Sequence, residues 1–189
     1  MKRRFIAVLC FFAAMALLPA LSVGNLIRPN LSSSPDEALS PQKNEVIAGA
    51  ASLCEEDFCD EALRACLIIA RCNLAAGKKP GNNNSDKELK KRLAALYDSE
   101  KELYLTFENK VVAVPYLSRS NGKTFSNSSL PYLCPVASPW DCVESYDEAL
   151  RCEGVSLNGL SFLCRNGMSA EDALLWYLPK LKLTEKRPE

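Results

Sequence analysis

With 189 residues, the chain can bury one domain core and, once a leader is set aside, is too short for two comfortable ones. Lys and Arg total 23, as do Asp and Glu; removing Lys2, Arg3 and Arg4 leaves 20 bases against 23 acids, which supplies no basic face for phosphate and argues against nucleic acid as a partner. Histidine is absent, which excludes a serine or cysteine nucleophile activated by imidazole and the common imidazole zinc sites; no CxxC pair seeds another metal site, and no cofactor is expected.

The chain opens on the basic cluster Lys2, Arg3 and Arg4, followed by an uncharged stretch from Phe5 to Val23 in which only Pro19 and Ser22 depart from small or apolar residues. That stretch is about long enough to cross a hydrocarbon core as a helix, and the cations hold its start on the cytoplasmic side. Residues 1–24 are therefore expected to be a signal peptide or a membrane anchor, with the remainder of the chain facing outward. An uncleaved anchor is favoured, while the small-x-small patterns Ala20/Ser22 and Ser22/Gly24 leave cleavage and secretion as the other reading. Residues 25–44 mix proline and serine without a sustained apolar period and read as a flexible stalk.

A domain is expected over 45–183, with a tail at 184–189. From Asp60, Leu63, Cys66, Leu67, Ala70 and Leu74 recur at helical spacing and predict a helix to about Ala75. Glu61, Arg64 and Arg71 share one flank of it, a solvated face or a binding edge. After the linker GKKPGNNNSD, Ser85 and Glu88 form a capping box ahead of Leu89, Leu93 and Leu96, predicting a second helix. ELYLTF and VVAVPY, joined at Glu108, Asn109 and Lys110, read as a hairpin without a turn glycine. The polar, proline-punctuated stretch from Ser118 to Asp141 reads as a surface loop carrying contacts rather than core. A short helix from Leu160 to Asn166 and a last one from Ser169 to Tyr177, stopped by Pro179, close the chain. The fold expected is α+β, a single mixed domain of helices and antiparallel strands behind an N-terminal transmembrane or signal helix.

Eight of the nine cysteines lie beyond the leader. In an exported chain an even count suggests disulfides, whose pairing the sequence does not rank; the equal alternative is free thiols packed as small apolar side chains.

Three separated segments in this order resemble the stage II sporulation protein D family, membrane-anchored proteins that act on peptidoglycan during spore formation. They are EALRACLIIAR (Glu61 to Arg71), SNGKT with PYLCPVASPWD (Ser120 to Thr124 and Pro131 to Asp141), and GVSLNG with NGMSAEDALLWYLP (Gly154 to Gly159 and Asn166 to Pro179). The resemblance implies a glycan-binding cleft using Arg64, Arg71, Ser120, Gly122, Thr124 and Ser156. It also implies lytic transglycosylase chemistry through one essential glutamate, eight residues before the glutamate that opens the signature helix. That position is Leu53 here, and an aliphatic group exchanges no proton. Glu55 and Glu56 stand close by and would serve if the register shifts. Leu157 and Asn158 replace the family's glutamine and tyrosine, and only about a dozen residues separate Asp141 from Gly154, where the family carries a longer stretch.

The expectation is an exported, membrane-associated protein of sporulation or cell-wall remodelling that binds peptidoglycan glycan strands or a sporulation protein, without catalysis. The alternatives are an active lytic transglycosylase using Glu55 or Glu56, and an unrelated secreted cysteine-rich module.

Overall fold

In the computed structural model, residues 43–55, 57–80, 87–99, 101–142 and 150–185 are described. The leader, nearly all of the stalk, Glu56 and the capping residue Ser85 lie outside them. No helix of the described residues is long and apolar enough to cross a membrane.

Three helices come first: α1 (Lys43–Ala51), α2 (Asp60–Ala75) and α3 (Lys87–Ser99). Helix α1 begins within the segment read as stalk. Helix α2 has the predicted bounds, with Asp60 and Glu61 in its first turn, where acids offset the helix dipole. Its end is set by Gly77 at φ +82, whose N–H donates to Leu74 O while Lys78 N–H donates to Asn73 O, each at 2.9 Å. Both bonds satisfy carbonyls orphaned by the helix terminus, and the left-handed backbone they need is open to glycine at no steric cost.

Helix α2 is the centre of the domain, in contact with α1, α3 and the sheet, and with the two later helices. Leu63, Cys66, Leu67 and Ala70 are buried as the periodicity requires, but so are Ala62, Ile69 and Arg71 on its other sides. A helix packed nearly all round has no solvated flank along most of its length, which corrects the expectation for Arg71.

Strand β1 (Tyr104–Phe107) pairs antiparallel with β2 (Lys110–Val111) in the predicted hairpin, but the second arm is shorter than VVAVPY implied: it starts at Lys110, read as turn, ends at Val111, and leaves Tyr116 to another strand pair. Its turn holds Glu108 at φ +50 and Asn109 at φ +63, the conformation of a two-residue hairpin turn built without glycine. The other edge of β1 is taken by β7 (Lys182–Thr184), in the order β2, β1, β7. Two further pairs are parallel: β3 (Tyr116–Leu117) with β6 (Val155–Ser156), and β4 (Thr124–Phe125) with β5 (Cys152–Glu153). The fold is α+β, but its strands are not all antiparallel. The parallel pairs escape sequence patterning because two residues show no alternation.

Helix α4 (Leu157–Arg165) starts three residues before the position expected, because Ser156 caps it by accepting from Gly159 N–H at 3.2 Å. Helix α5 (Ala170–Tyr177) is capped by Ser169, which accepts from Asp172 N–H at 3.1 Å. One apolar cluster runs through the domain, from Val46 and Ile47 of α1 across α2 to Leu160, Leu174 and Leu178.

Candidate functional site

The supposed surface loop from Ser118 to Asp141 is partly interior: Ser120, Thr124, Tyr132, Leu133 and Ser138 are buried. It ends in a short 3-10 turn, Pro139–Cys142, that presents Trp140 and Asp141 to a groove of about 590 Å³. The groove is also lined by Glu55 and Asp57 from the connection between α1 and α2, and by Asn158 and Phe162 from α4.

Asp141 is held by one oxygen. Its Oδ2 accepts from Ser120 N–H at 3.2 Å, Ser120 Oγ at 2.5 Å and Ser138 Oγ at 2.7 Å. The carboxylate is thus fixed in orientation at the groove wall, with Oδ1 outside this network. Ser138 Oγ also lies 2.7 Å from Tyr177 Oη, which accepts from Trp140 Nε1 at 3.2 Å. Burial pushes the Tyr177 phenol well above its ordinary value, so it remains a neutral hydroxyl at any physiological pH. Nearby, burial and then the Asp141 carboxylate push the Cys152 thiol from 9.0 up to about 12.

The Trp140 ring stacks on Phe162 with centroids 5.4 Å apart and planes 10° from parallel, and meets Trp176 at 6.0 Å. Phe162 and Trp176 remain 46% and 42% exposed. A run of open aromatic surface beside a groove carrying carboxylates, an amide and the Arg119 guanidinium suits a ligand with apolar faces and many hydroxyls. Arg165, at the same wall, is tied to Asp57 by an ion pair and donates to Asp57 O at 2.9 Å.

The candidate residues are dispersed by this geometry. Glu55 is exposed and lines the groove; Glu56 lies outside the described residues. Leu53, at the family's glutamate position, is buried and faces a separate cavity of about 390 Å³ with Asn73, Lys78 and Tyr116. Arg64 pairs with Glu61, whose other oxygen accepts from Ala170 N–H at 2.9 Å and so ties α2 to the start of α5. Arg71 donates to Leu103 O at 3.2 Å and lies over the rings of Tyr97 and Tyr104. Ser120 positions Asp141. Gly122, at φ +84, accepts from Ser138 N–H at 2.8 Å. Thr124 Oγ1 accepts from Val136 N–H at 2.9 Å, and Ser156 is the buried cap of α4. Among the candidates that fall in the described residues, only Glu55 lines the groove; Ser120 and Ser156 support it from behind, through Asp141 and through the start of α4, and Arg64, Arg71 and Thr124 make their contacts elsewhere.

Trp140, Asp141, Asn158 and Phe162 were not selected from the sequence as site residues. The adjacent tryptophan and aspartate in a proline-punctuated loop were the available signal. Among the described residues no group of three or more cysteines and acids is arranged to hold a metal ion, and Cys54, Cys59, Cys66, Cys72, Cys134, Cys152 and Cys164 are free thiols. In comparisons with known proteins, the chain matches no family model and no curated protein.

Proposed function

We propose that this chain is an exported, membrane-associated relative of stage II sporulation protein D that binds peptidoglycan glycan strands in the groove at Trp140 and Asp141 and does not cleave them. One observation carries the reading: segments far apart in sequence, two of them bearing the resemblance, converge on one groove. Trp140 and Asp141 come from the second motif, and Asn158 and Asn166 from the third. The first motif stands behind them, anchoring α5 through Glu61. The groove's chemistry supports a sugar polymer, since stacked aromatic rings meet the apolar faces of pyranose rings while Asp141 and Asn158 accept and donate to hydroxyls. The basic cluster and apolar stretch before residue 24 support the outward, membrane-associated location.

Absence of cleavage is argued from Leu53. An aliphatic side chain has no proton to donate, and the Leu53 position is packed in the core and lines the other cavity rather than the groove. One feature favours a second reading, a working lytic transglycosylase: Glu55 stands on the groove wall. Against it, Glu55 is exposed, whereas a general acid for glycoside cleavage is normally kept protonated by an apolar or like-charged surround.

The test is to incubate the purified protein with insoluble peptidoglycan and with soluble glycan strands. Binding is expected to be retained in Glu55→Gln and to weaken about tenfold or more in Trp140→Ala and Asp141→Asn, corresponding to roughly 1.4 kcal/mol each. No anhydro-muramyl ends should appear. Release of such ends by the unmodified protein and their loss in Glu55→Gln would establish the enzyme instead. Equal binding by all three variants and the unmodified protein would remove the groove from the account.

A further inference from the structure

The cavity of about 390 Å³ that carries Leu53 lies where α1 and α2 end, and it shares no lining residue with the groove at Trp140. Leu53, Ala70 and Leu74 give it an apolar lining, while Pro80 and Pro115 add stiff wall segments that have no N–H to offer. Backbone carbonyls around it are already engaged. Gly49 O accepts from Ser52 Oγ at 2.7 Å and Pro115 O from Val155 N–H at 3.0 Å. Asn73 O accepts from Lys78 N–H and Leu74 O from Gly77 N–H, each at 2.9 Å. The Asn73 amide is spent on Val114, donating to its carbonyl at 3.1 Å and accepting from its N–H at 2.7 Å. Three lining side chains are left without a polar partner among the described residues: Lys78, Lys79 and the half-open Tyr116. All three can donate and two are cations, whereas no carboxylate lines the cavity among the described residues.

We propose that this cavity binds a small organic anion, a carboxylate or phosphate monoester carried on an apolar body. Two neighbouring ammonium groups with no counter-charge attract an anion, and a surplus of donors is met by a group made only of acceptors. The apolar lining and the Tyr116 ring receive the body of the ligand, and the volume is that of a small-molecule site. A peptide fits less well, because its own N–H groups need acceptors and the wall carbonyls are engaged. A lysine ammonium is a point charge without the fork of arginine, so the same site accepts either anion. The site is independent of what the groove binds.

The experiment titrates the full chain by calorimetry with 4-phenylbutyrate and with phenyl phosphate, and with 4-phenylbutyramide as the neutral counterpart. Saturable binding of at least one anion is expected, with the amide bound at least tenfold more weakly, a difference of about 1.4 kcal/mol. The tighter of the two anions tells a carboxylate site from a phosphate site. Binding should weaken as salt is raised, because Lys78 and Lys79 are exposed and their charges are screened. The double change Lys78→Gln with Lys79→Gln should weaken it about tenfold or more, with the thermal midpoint unchanged because both side chains are on the surface. Lys78→Arg with Lys79→Arg keeps the charges and should retain it. The proposal is overturned if neither anion binds saturably, if the amide binds as tightly as the anions, or if the glutamine and arginine variants behave alike.

Discussion

At Gly159 the backbone of α4 runs against three polar atoms that hold the groove together. A Cβ there would lie 2.0 Å from Tyr177 Oη, 2.6 Å from Trp140 Nε1 and 2.7 Å from Ser138 Oγ. Tyr177 is fully buried and has nowhere to swing. Alanine normally strengthens a helix interior by about 0.5 to 1 kcal/mol relative to glycine, but here overpacking dominates, and Gly159→Ala should cost about 1 to 3 kcal/mol in chemical denaturation. The glycine was visible in the sequence as part of a motif; the reason for it was not, because Trp140, Ser138 and Tyr177 come from elsewhere in the chain. Arg71 makes the complementary point. Its guanidinium serves the backbone of Leu103 and two tyrosine rings, so Arg71→Gln should lower stability by about 1 to 3 kcal/mol. Affinity for peptidoglycan in a pelleting assay should be unchanged.

Among the elements, those with a long apolar period were legible and those defined by partners were not. Helix α2 matched its predicted bounds because sixteen residues carry enough periodicity to fix its phase. Arg71 was misjudged because the flank of a helix is solvated only if nothing else packs there, and α2 is enclosed. The stretch from Ser118 to Asp141 read as surface loop because its polar residues were counted as solvated, whereas Ser120, Thr124 and Ser138 are buried with bonds to Asp141 and to backbone. The hairpin turn was recognised despite its chemistry. Left-handed backbone costs a residue with a Cβ roughly 1 to 2 kcal/mol, and Glu108 has neither the short polar side chain of asparagine nor the freedom of glycine. Replacing Glu108 and Asn109 by Asn and Gly should therefore raise stability by about 1 kcal/mol, read as a higher urea midpoint at unchanged slope.

For the whole molecule, buried thiols set an alkaline limit. Burial pushes Cys72 up from 9.0 to about 11, and it pushes Cys164 to about 12, with Cys59 and Glu61 adding to the rise. Cys152, beside the groove wall, behaves alike. In the unfolded chain these groups ionise near their ordinary value while the folded chain retains their protons. Their contribution to stability is thus complete below pH 9 and is lost as pH rises towards 11 and 12. Urea unfolding of the reduced protein should show a midpoint that falls across this window, and Cys152→Ala should make the fall shallower.

The pairing of β1 with β7 has a consequence in time. Tyr104 lies opposite Thr184 and Leu105 opposite Leu183, so a chain made from its N-terminus holds an open β1 edge until about eighty further residues have been delivered. Contacts this distant in sequence slow folding, because the intervening chain must be confined before they form. The helices can nucleate early on local contacts, but the sheet waits for the last strand. Until it arrives, β1 presents unpaired backbone groups on which another nascent chain could dock, and chaperone protection over that interval would guard this edge first.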